Sequence, residues 1–242
     1  MFGKVQTSAI VGVDGRTVIV EADFSDGLPS FEMVGFLGAE VREAKERVRS
    51  AIRNAGIVVP PGKLTVNLSP ADLKKQGNSF DLPIAVAILI SLGVIPQELA
   101  DPYTFIGELS LDGLVRPVIG TISHVLSARE NGIRKAILPA ENAGEGAVFS
   151  DFRVYPASSL SEVIGIVTHP GAQNPIEVTG RETEEESMAA PDFIDVRGQE
   201  RIKRSAAIAS AGMHGFLMIG PPGTGKTLTA KRIPSIMPPL SE

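Results

Sequence analysis

The residues with the clearest chemical capacity are Gly220, Pro221, Pro222, Gly223, Thr224, Gly225, Lys226 and Thr227, near the end of the 242-residue chain. They satisfy the spacing G-x-x-x-x-G-K-[ST] at every fixed position. In such a loop successive backbone N–H groups turn inward and form a concave anion site. Gly223 and Gly225 allow the backbone to approach phosphate closely. Lys226 is placed to reach β- and γ-phosphates, and the Thr227 hydroxyl to hold Mg²⁺. The run His214–Ile219 is predicted to form a short buried strand before the loop, and Lys226–Ile233 the opening of a helix after it. An ordinary glycine turn would explain the glycines but not eight residues in pattern with both flanks. The spacing therefore predicts binding of a nucleoside triphosphate.

Composition narrows the setting. Hydrophobic residues make up 43% of the chain and charged residues 21%, an ordinary globular balance with length for one or two domains. The net charge of −5 means that any nucleic-acid surface must be local. With no cysteine, disulfides, zinc-thiolate sites and thiol nucleophiles are excluded, and a reducing cytoplasm fits. The start, Met1–Gln6, lacks the apolar core of a signal peptide. The most apolar run, Leu82–Leu92, is too short to span a bilayer, so no membrane is expected. His124, His169 and His214 are too scattered to suggest a metal site.

The elements ahead of the loop read as follows. Strands are expected at Lys4–Val13, Thr17–Phe24 and Phe31–Phe36, the first two joined by a hairpin at Asp14-Gly15. On Thr17–Phe24, Val18, Val20, Ala22 and Phe24 share one face. Ala39–Ala55 is the clearest helix, with an apolar stripe of Val41, Ala44, Val48, Ile52 and Ala55 and a stop at Gly56. Its outer face holds Arg42, Lys45, Arg47, Arg49 and Arg53 against Glu43 and Glu46. That face suits either DNA phosphates or, as the favoured reading, solvent and local ion pairs. A strand at Leu64–Leu68 precedes the apolar run Phe80–Leu92, read as a buried helix. Strands at Thr104–Leu111 and Leu114–Ile119 flank a second hairpin at Asp112-Gly113. Then come a helix at Thr121–Asn131, a strand at Lys135–Leu138, an edge strand around Val154 and a closing helix at Ser159–Val167. This pattern is an α+β domain with a mixed sheet.

Residues 169–191 change character, with Pro170, Gly171, Pro175 and Gly180 followed by Glu182 and Glu184-Glu185-Glu186, and read as a flexible acidic linker. The expected organisation is a front domain over 1–168, the linker over 169–191 and a nucleotide module over 192–242.

Two resemblances follow from these stretches. Asp195-Val196-Arg197-Gly198-Gln199, then a helix, a strand and the phosphate loop, resembles the start of an AAA+ ATPase domain. That resemblance implies ATP as the nucleotide, an α/β P-loop fold for 192–242, and Val196 beside the adenine. The front domain resembles the Lon-protease-like domain of the ComM/YifB family of magnesium-chelatase-like AAA+ ATPases. The stretches that carry it are Val41–Ile52, Gly77–Ala85 and Gly107–Gly113, with Ser235–Leu240 after the loop. For a full-length relative the resemblance implies a cytoplasmic, ATP-driven homo-oligomeric ring, a hexamer, that remodels DNA by branch migration or helicase-like work. A magnesium chelatase motor subunit is the alternative, although such a subunit begins directly with its ATPase module.

A Lon-like fold raises a third reading, a serine peptidase in which a lysine activates a serine. The resemblance puts Ser79 of Gly77-Asn78-Ser79 at the nucleophile and Ile122 where the lysine should stand. Isoleucine accepts no proton. His124 is two residues on, about 200° around a helix. Lys74 and Lys75 lie close to Ser79 in sequence only. Peptidase activity is disfavoured, Ser79 is read as a turn residue or helix N-cap, and a scaffolding role is expected for the front domain. Only 15 residues follow Thr227, leaving no room for an acidic strand end, a γ-phosphate sensor or an arginine finger, and Arg232 is no substitute. The sequence is thus expected to be a fragment with no catalytic residues of its own. Steady-state phosphate release by this chain should be no faster than that of its Lys226→Ala variant; a robust rate abolished by that change would refute the expectation.

Overall fold

The computed structural model describes residues 1–176 and 192–237. The chain divides into two compact units, Met1–Gly180 and Arg181–Glu242.

The first unit opens with a long hairpin, β1 (Phe2–Val11) and β2 (Asp14–Ser25), paired antiparallel from Phe2↔Asp23 to Val11↔Asp14. There follow β3 (Ser30–Val34), α1 (Ala39–Asn54), β4 (Lys63–Ser69), α2 (Asp81–Ser91), the single turn α3 (Gln97–Ala100) and β5 (Tyr103–Phe105). The remainder is β6 (Glu108–Leu109), β7 (Val115–Arg116), α4 (Thr121–Glu130), β8 (Lys135–Pro139), α5 (Ala143–Gly146), β9 (Arg153–Ala157) and α6 (Leu160–Thr168). Seven strands form one sheet in the order β3-β4-β2-β1-β5-β8-β9, and β6 and β7 form a separate ribbon. Only β2 runs against the rest of the seven.

The sheet is mixed, as expected, but mostly parallel, with helices on both faces. The reason is in the connections: parallel neighbours need crossovers, and helices supply them. The side-chain period of two sorts β8 between the layers. Ile137 joins Val20, Val66, Leu82 and Ile88 on the α1–α2 side, whereas Ala136 and Leu138 join Val125 of α4 and Ala143 of α5. Every residue of α2 is buried, which accounts for its uniform apolarity. The edge of α2 comes so close to β1 that a Cβ on Gly3 would stand 2.3 Å from the Ala87 carbonyl oxygen.

Three departures from the sequence reading have local causes. The strand expected over Thr104–Leu111 breaks after Phe105, because Gly107 closes the start of α2: its N–H donates to Ser79 O (3.2 Å) and its carbonyl accepts from Leu82 N (3.0 Å). The partner strand shrinks to Val115–Arg116 for the same reason, since its register pairs only β6. Residues 169–176 are not loose: Ile176 N donates to Val154 O at 2.8 Å and Gln173 Nε2 to Pro156 O at 2.9 Å, tying them beside β9. The acidic run Glu182–Glu186 lies outside the described residues.

The ion pairs expected along the outer face of α1 are also absent among the described residues. Arg47 instead turns inward to the carboxylate of Asp81, which is inaccessible to solvent. The contact is bidentate, with Nε to Oδ2 at 2.6 Å and Nη2 to Oδ1 at 3.0 Å. Asp81 Oδ2 also accepts from Leu109 N at 3.2 Å, and Arg47 Nη2 donates to Glu40 O at 3.0 Å. One ion pair therefore ties α1, α2 and β6. Asp81 holds Arg47 above its ordinary pKa; burial pushes the Asp81 carboxyl up, against the opposing pull of Arg47 and the Leu109 N–H.

Removing one partner strands a buried charge, which costs about 3–5 kcal/mol, whereas neutralising both costs much less. Arg47→Met should therefore lower stability in urea titrations by about 3 kcal/mol. Adding Asp81→Asn, which keeps an acceptor for Leu109 N–H, should recover more than half of that loss. Single losses that simply add would rule out the coupling.

Candidate functional site

The second unit begins with a 3₁₀ turn at Phe193–Asp195, continues with α7 (Glu200–Ala211) and ends in α8 (Lys226–Arg232) and a 3₁₀ turn at Ile233–Ile236. His214–Ile219 does not form the buried strand that the sequence predicts. It pairs with no strand among the described residues, and Leu217 and Ile219 are 80% and 89% exposed. A buried parallel strand needs strands on both sides, and the described residues of this unit contain none.

The loop itself keeps its geometry. Gly223 and Gly225 have φ of +82° and +78°, and around Gly223 there is no atom within 4 Å of where a Cβ would stand. Both are left-handed conformations that favour glycine. Lys226 folds back over the loop, its Nζ donating to Pro221 O at 2.7 Å, to Gly220 O at 2.9 Å and to Thr224 Oγ1 at 3.4 Å. Thr224 Oγ1 donates to Pro221 O at 3.0 Å. The N–H groups of Gly223, Thr224, Gly225, Lys226 and Thr227 meet no protein acceptor among the described residues. Thr227 is exposed; Thr229, two residues on and buried, anchors the helix by its Oγ1 donating to Gly225 O at 3.1 Å.

The segment before α7 is fastened to the loop, to α8 and to the turn after it by contacts that the sequence reading did not assign to these residues. Gln199, itself left-handed at φ +57°, donates through Nε2 to Thr224 O at 3.4 Å. Arg232 pairs with Asp195 at 2.9 Å, and Phe193 N donates to Ser235 Oγ at 2.9 Å. Val196 lies between these ties and is 1% exposed. The partners are separated by 25 to 42 positions in sequence, so no local pattern could have marked them. Gly220 to Thr227 thus come together in one loop, with Val196 held in the adjoining segment. The donor set, five unengaged N–H groups and an ammonium, fits a polyphosphate. No cluster of His, Asp or Glu among the described residues is arranged to hold a metal ion.

The residues of the disfavoured peptidase reading are not assembled for proton transfer. Ile122 is 40% exposed on α4. His124 is buried on the sheet side of that helix, its Nδ1 2.7 Å from Ser8 Oγ. Lys75, wholly buried, gives its ammonium to the carbonyl of Pro70, and burial lowers its pKa. Ser79 makes no side-chain cap: α2 starts at Asp81 with no side-chain hydrogen bond at its N-cap position, and Ser79 uses its carbonyl to accept from Gly107 N. It is a turn residue.

Comparison with known proteins agrees with this arrangement. Residues 20–142 match the family model described as subunit ChlI of Mg-chelatase, and residues 192–242 match that described as magnesium chelatase, subunit ChlI. These family matches support an AAA+ ATPase-type protein. The uncharacterized protein YifB of Salmonella typhimurium is 41% identical over 242 residues, covering 98% of this chain and 46% of the relative. The competence protein ComM of Haemophilus influenzae is 36% identical over 247 residues, covering 98% and 47%. The chain belongs to the ComM/YifB family of magnesium-chelatase-like proteins, and it spans about half the length of these curated relatives. A Lon protease of Chloroflexus aurantiacus is 29% identical over 172 residues, covering 66% of this chain and 21% of that protein. Among the described residues no helix is long and apolar enough to cross a membrane.

The buried imidazole makes a measurable signature. Desolvation lowers the pKa of His124 from 6.5 to about 4. An unfolded chain takes up this proton near pH 6.5 and the folded one only near pH 4, so the stability is present above 6.5 and is lost as pH falls towards 4. The shift is worth roughly 3 kcal/mol. Urea midpoints should drop across that window in the parent chain, with a shallower slope in His124→Gln. An identical pH profile for the two would show that His124 is not the group responsible.

Proposed function

We propose that residues 192–242 are the opening part of an AAA+ ATPase module that binds ATP with Mg²⁺ through Gly220–Thr227, Val196 bordering the base. The observation that carries this reading is the set of five N–H groups, Gly223 to Thr227, without acceptors among the described residues, next to the ammonium that Lys226 folds onto Gly220 O and Pro221 O. The carbonyls of Gly220 and Pro221 are neutral partners for that ammonium. Phosphate oxygens would replace them with bonds in which donor and acceptor are both charged, adding ion-pair attraction. The loop's N–H groups orient the same oxygens. The Thr227 hydroxyl would hold Mg²⁺, which when bound would neutralise phosphate charge.

In the same reading residues 1–168 are a Lon-protease-like domain that serves as a scaffold, and 169–191 tether it to the module. The likeness to a Lon protease and the isoleucine at position 122 support a Lon-type frame without peptidase chemistry. The whole protein would act as a cytoplasmic, hexameric, ATP-driven ring that remodels DNA, a reading that rests on the family and on the relative named for competence.

Fluorescence titration with a methylanthraniloyl-ATP tests the core of the proposal. Lys226→Ala should weaken binding at least tenfold with or without Mg²⁺. Thr227→Ala should weaken it in Mg²⁺ but not in EDTA. Unchanged affinity in Lys226→Ala would remove the nucleotide assignment.

A further inference from the structure

The first unit contains a cavity of about 740 Å³ that the nucleotide loop has no part in. It lies between the C-terminal half of α1, the start of β3 and the loop 56–62. Its volume falls in the range of true ligand pockets, roughly 300–1,000 Å³. Phe24, Phe31, Ile52, Ile57, Leu64 and Ile88 make it apolar. Lys45, Arg49 and Arg53 stand along the α1 side, and no carboxylate lines it. Lys45 lies over the Phe31 ring at 5.7 Å. Arg49 and Arg53 are exposed and have no ion-pair partner among the described residues, although Glu43 and Glu46 share their helix.

A second observation specifies the shape of the occupant. β3, which supplies Phe31 to the cavity, is the outermost strand of the sheet. Ser30 N donates to Gly62 O at 3.1 Å, and the parallel register runs Ser30↔Lys63 to Val34↔Asn67. In a parallel ladder alternate residues bond to one neighbour. Ser30, Glu32 and Val34 therefore face β4, and the backbone groups of Phe31 and Met33 face the open edge. Val34 and, just beyond the strand, Phe36 are each 51% exposed. Such an edge is a template for an added strand.

We propose that the cavity and the open edge of β3 together bind an extended segment of a partner protein, with an aliphatic side chain flanked at two residues' distance by carboxylates. Residues two apart on a strand share a face, so one face of the segment places its aliphatic group in the cavity and its carboxylates opposite Arg49 and Arg53. Its backbone pairs with Phe31 and Met33. A single-stranded nucleic acid would satisfy the cations but leave the strand edge unused. It would also find only two phenylalanine rings for stacking, one of them already covered by Lys45. The proposal is independent of the nucleotide reading, because all of its residues lie between 24 and 88.

The test is fluorescence anisotropy with the whole chain and a fluorescein-labelled octapeptide containing Glu-Thr-Leu-Thr-Glu. Saturable binding should weaken at least tenfold in the pair Arg49→Glu with Arg53→Glu, and equally in Met33→Pro, whose lost N–H faces outward rather than into the ladder. Replacing the peptide's leucine with serine should cost tenfold or more. Far-UV circular dichroism and urea midpoints confirm that the variants fold, and Arg49→Gln with Arg53→Gln replaces the first pair if it does not. The proposal is overturned if no binding occurs at millimolar peptide, if the serine peptide binds equally, or if the variants bind like the parent. It is also overturned if an oligo-dT strand binds more tightly and is the ligand those variants lose.

Discussion

The front unit depends on one buried ion pair. Arg47 and Asp81 meet bidentately at 2.6 and 3.0 Å where α1, α2 and the β6–β7 ribbon converge. α2 is wholly buried, and each of its larger aliphatic side chains contributes about 2 kcal/mol through burial. Apolar burial has no direction, however, and does not by itself set the rotation of α1 over α2 or hold the ribbon at the start of α2. A guanidinium–carboxylate fork does have direction, and with Leu109 N–H it satisfies Asp81 on both oxygens. The Gly107 carbonyl accepts the Leu82 N–H beside it. The ion pair and the helix start are thus one structure, and the broken strand at Ile106-Gly107 is its consequence.

That arrangement bears on the likeness to a Lon protease, which the proposed reading takes as a frame without peptidase chemistry. The turn containing Ser79 is kept by its carbonyl, which accepts from Gly107, and not by its hydroxyl. Position 122 carries an isoleucine on the outer part of α4, and His124 serves the interior through Ser8. Ser79, His124 and Lys75 thus have packing or backbone roles, while Ile122 and Lys74 stand at the surface. The packing of the front unit is therefore accounted for without a serine–lysine dyad.

In the second unit the phosphate loop depends on local geometry. Gly223 and Gly225 adopt left-handed φ, and Thr229 bonds to Gly225 within one turn. What surrounds the loop is non-local: Asp195 with Arg232, Gln199 with Thr224, Phe193 with Ser235. Among the described residues these bonds, and not a strand, hold the segment of Val196 to the loop, which keeps its left-handed glycines although His214–Ile219 lies exposed.

The sequence by itself marked the loop and its left-handed glycines, because that pattern is written in eight consecutive residues. It also determined most elements of the front unit, including α1 and the largely apolar α2, because period is local; it misplaced the first hairpin turn, which falls at Gly12-Val13, while Asp14 and Gly15 pair with Val11 and Ile10 inside β2. Tertiary structure alone decided which cation on α1 turns inward. Arg47 differs from Arg49 and Arg53 only by meeting a buried carboxylate 34 positions away. It alone decided the mostly parallel order of the sheet, the break at Gly107 and the exposure of His214–Ile219. Each of these depends on whether a backbone group finds a partner far along the chain, and no short window of sequence carries that information.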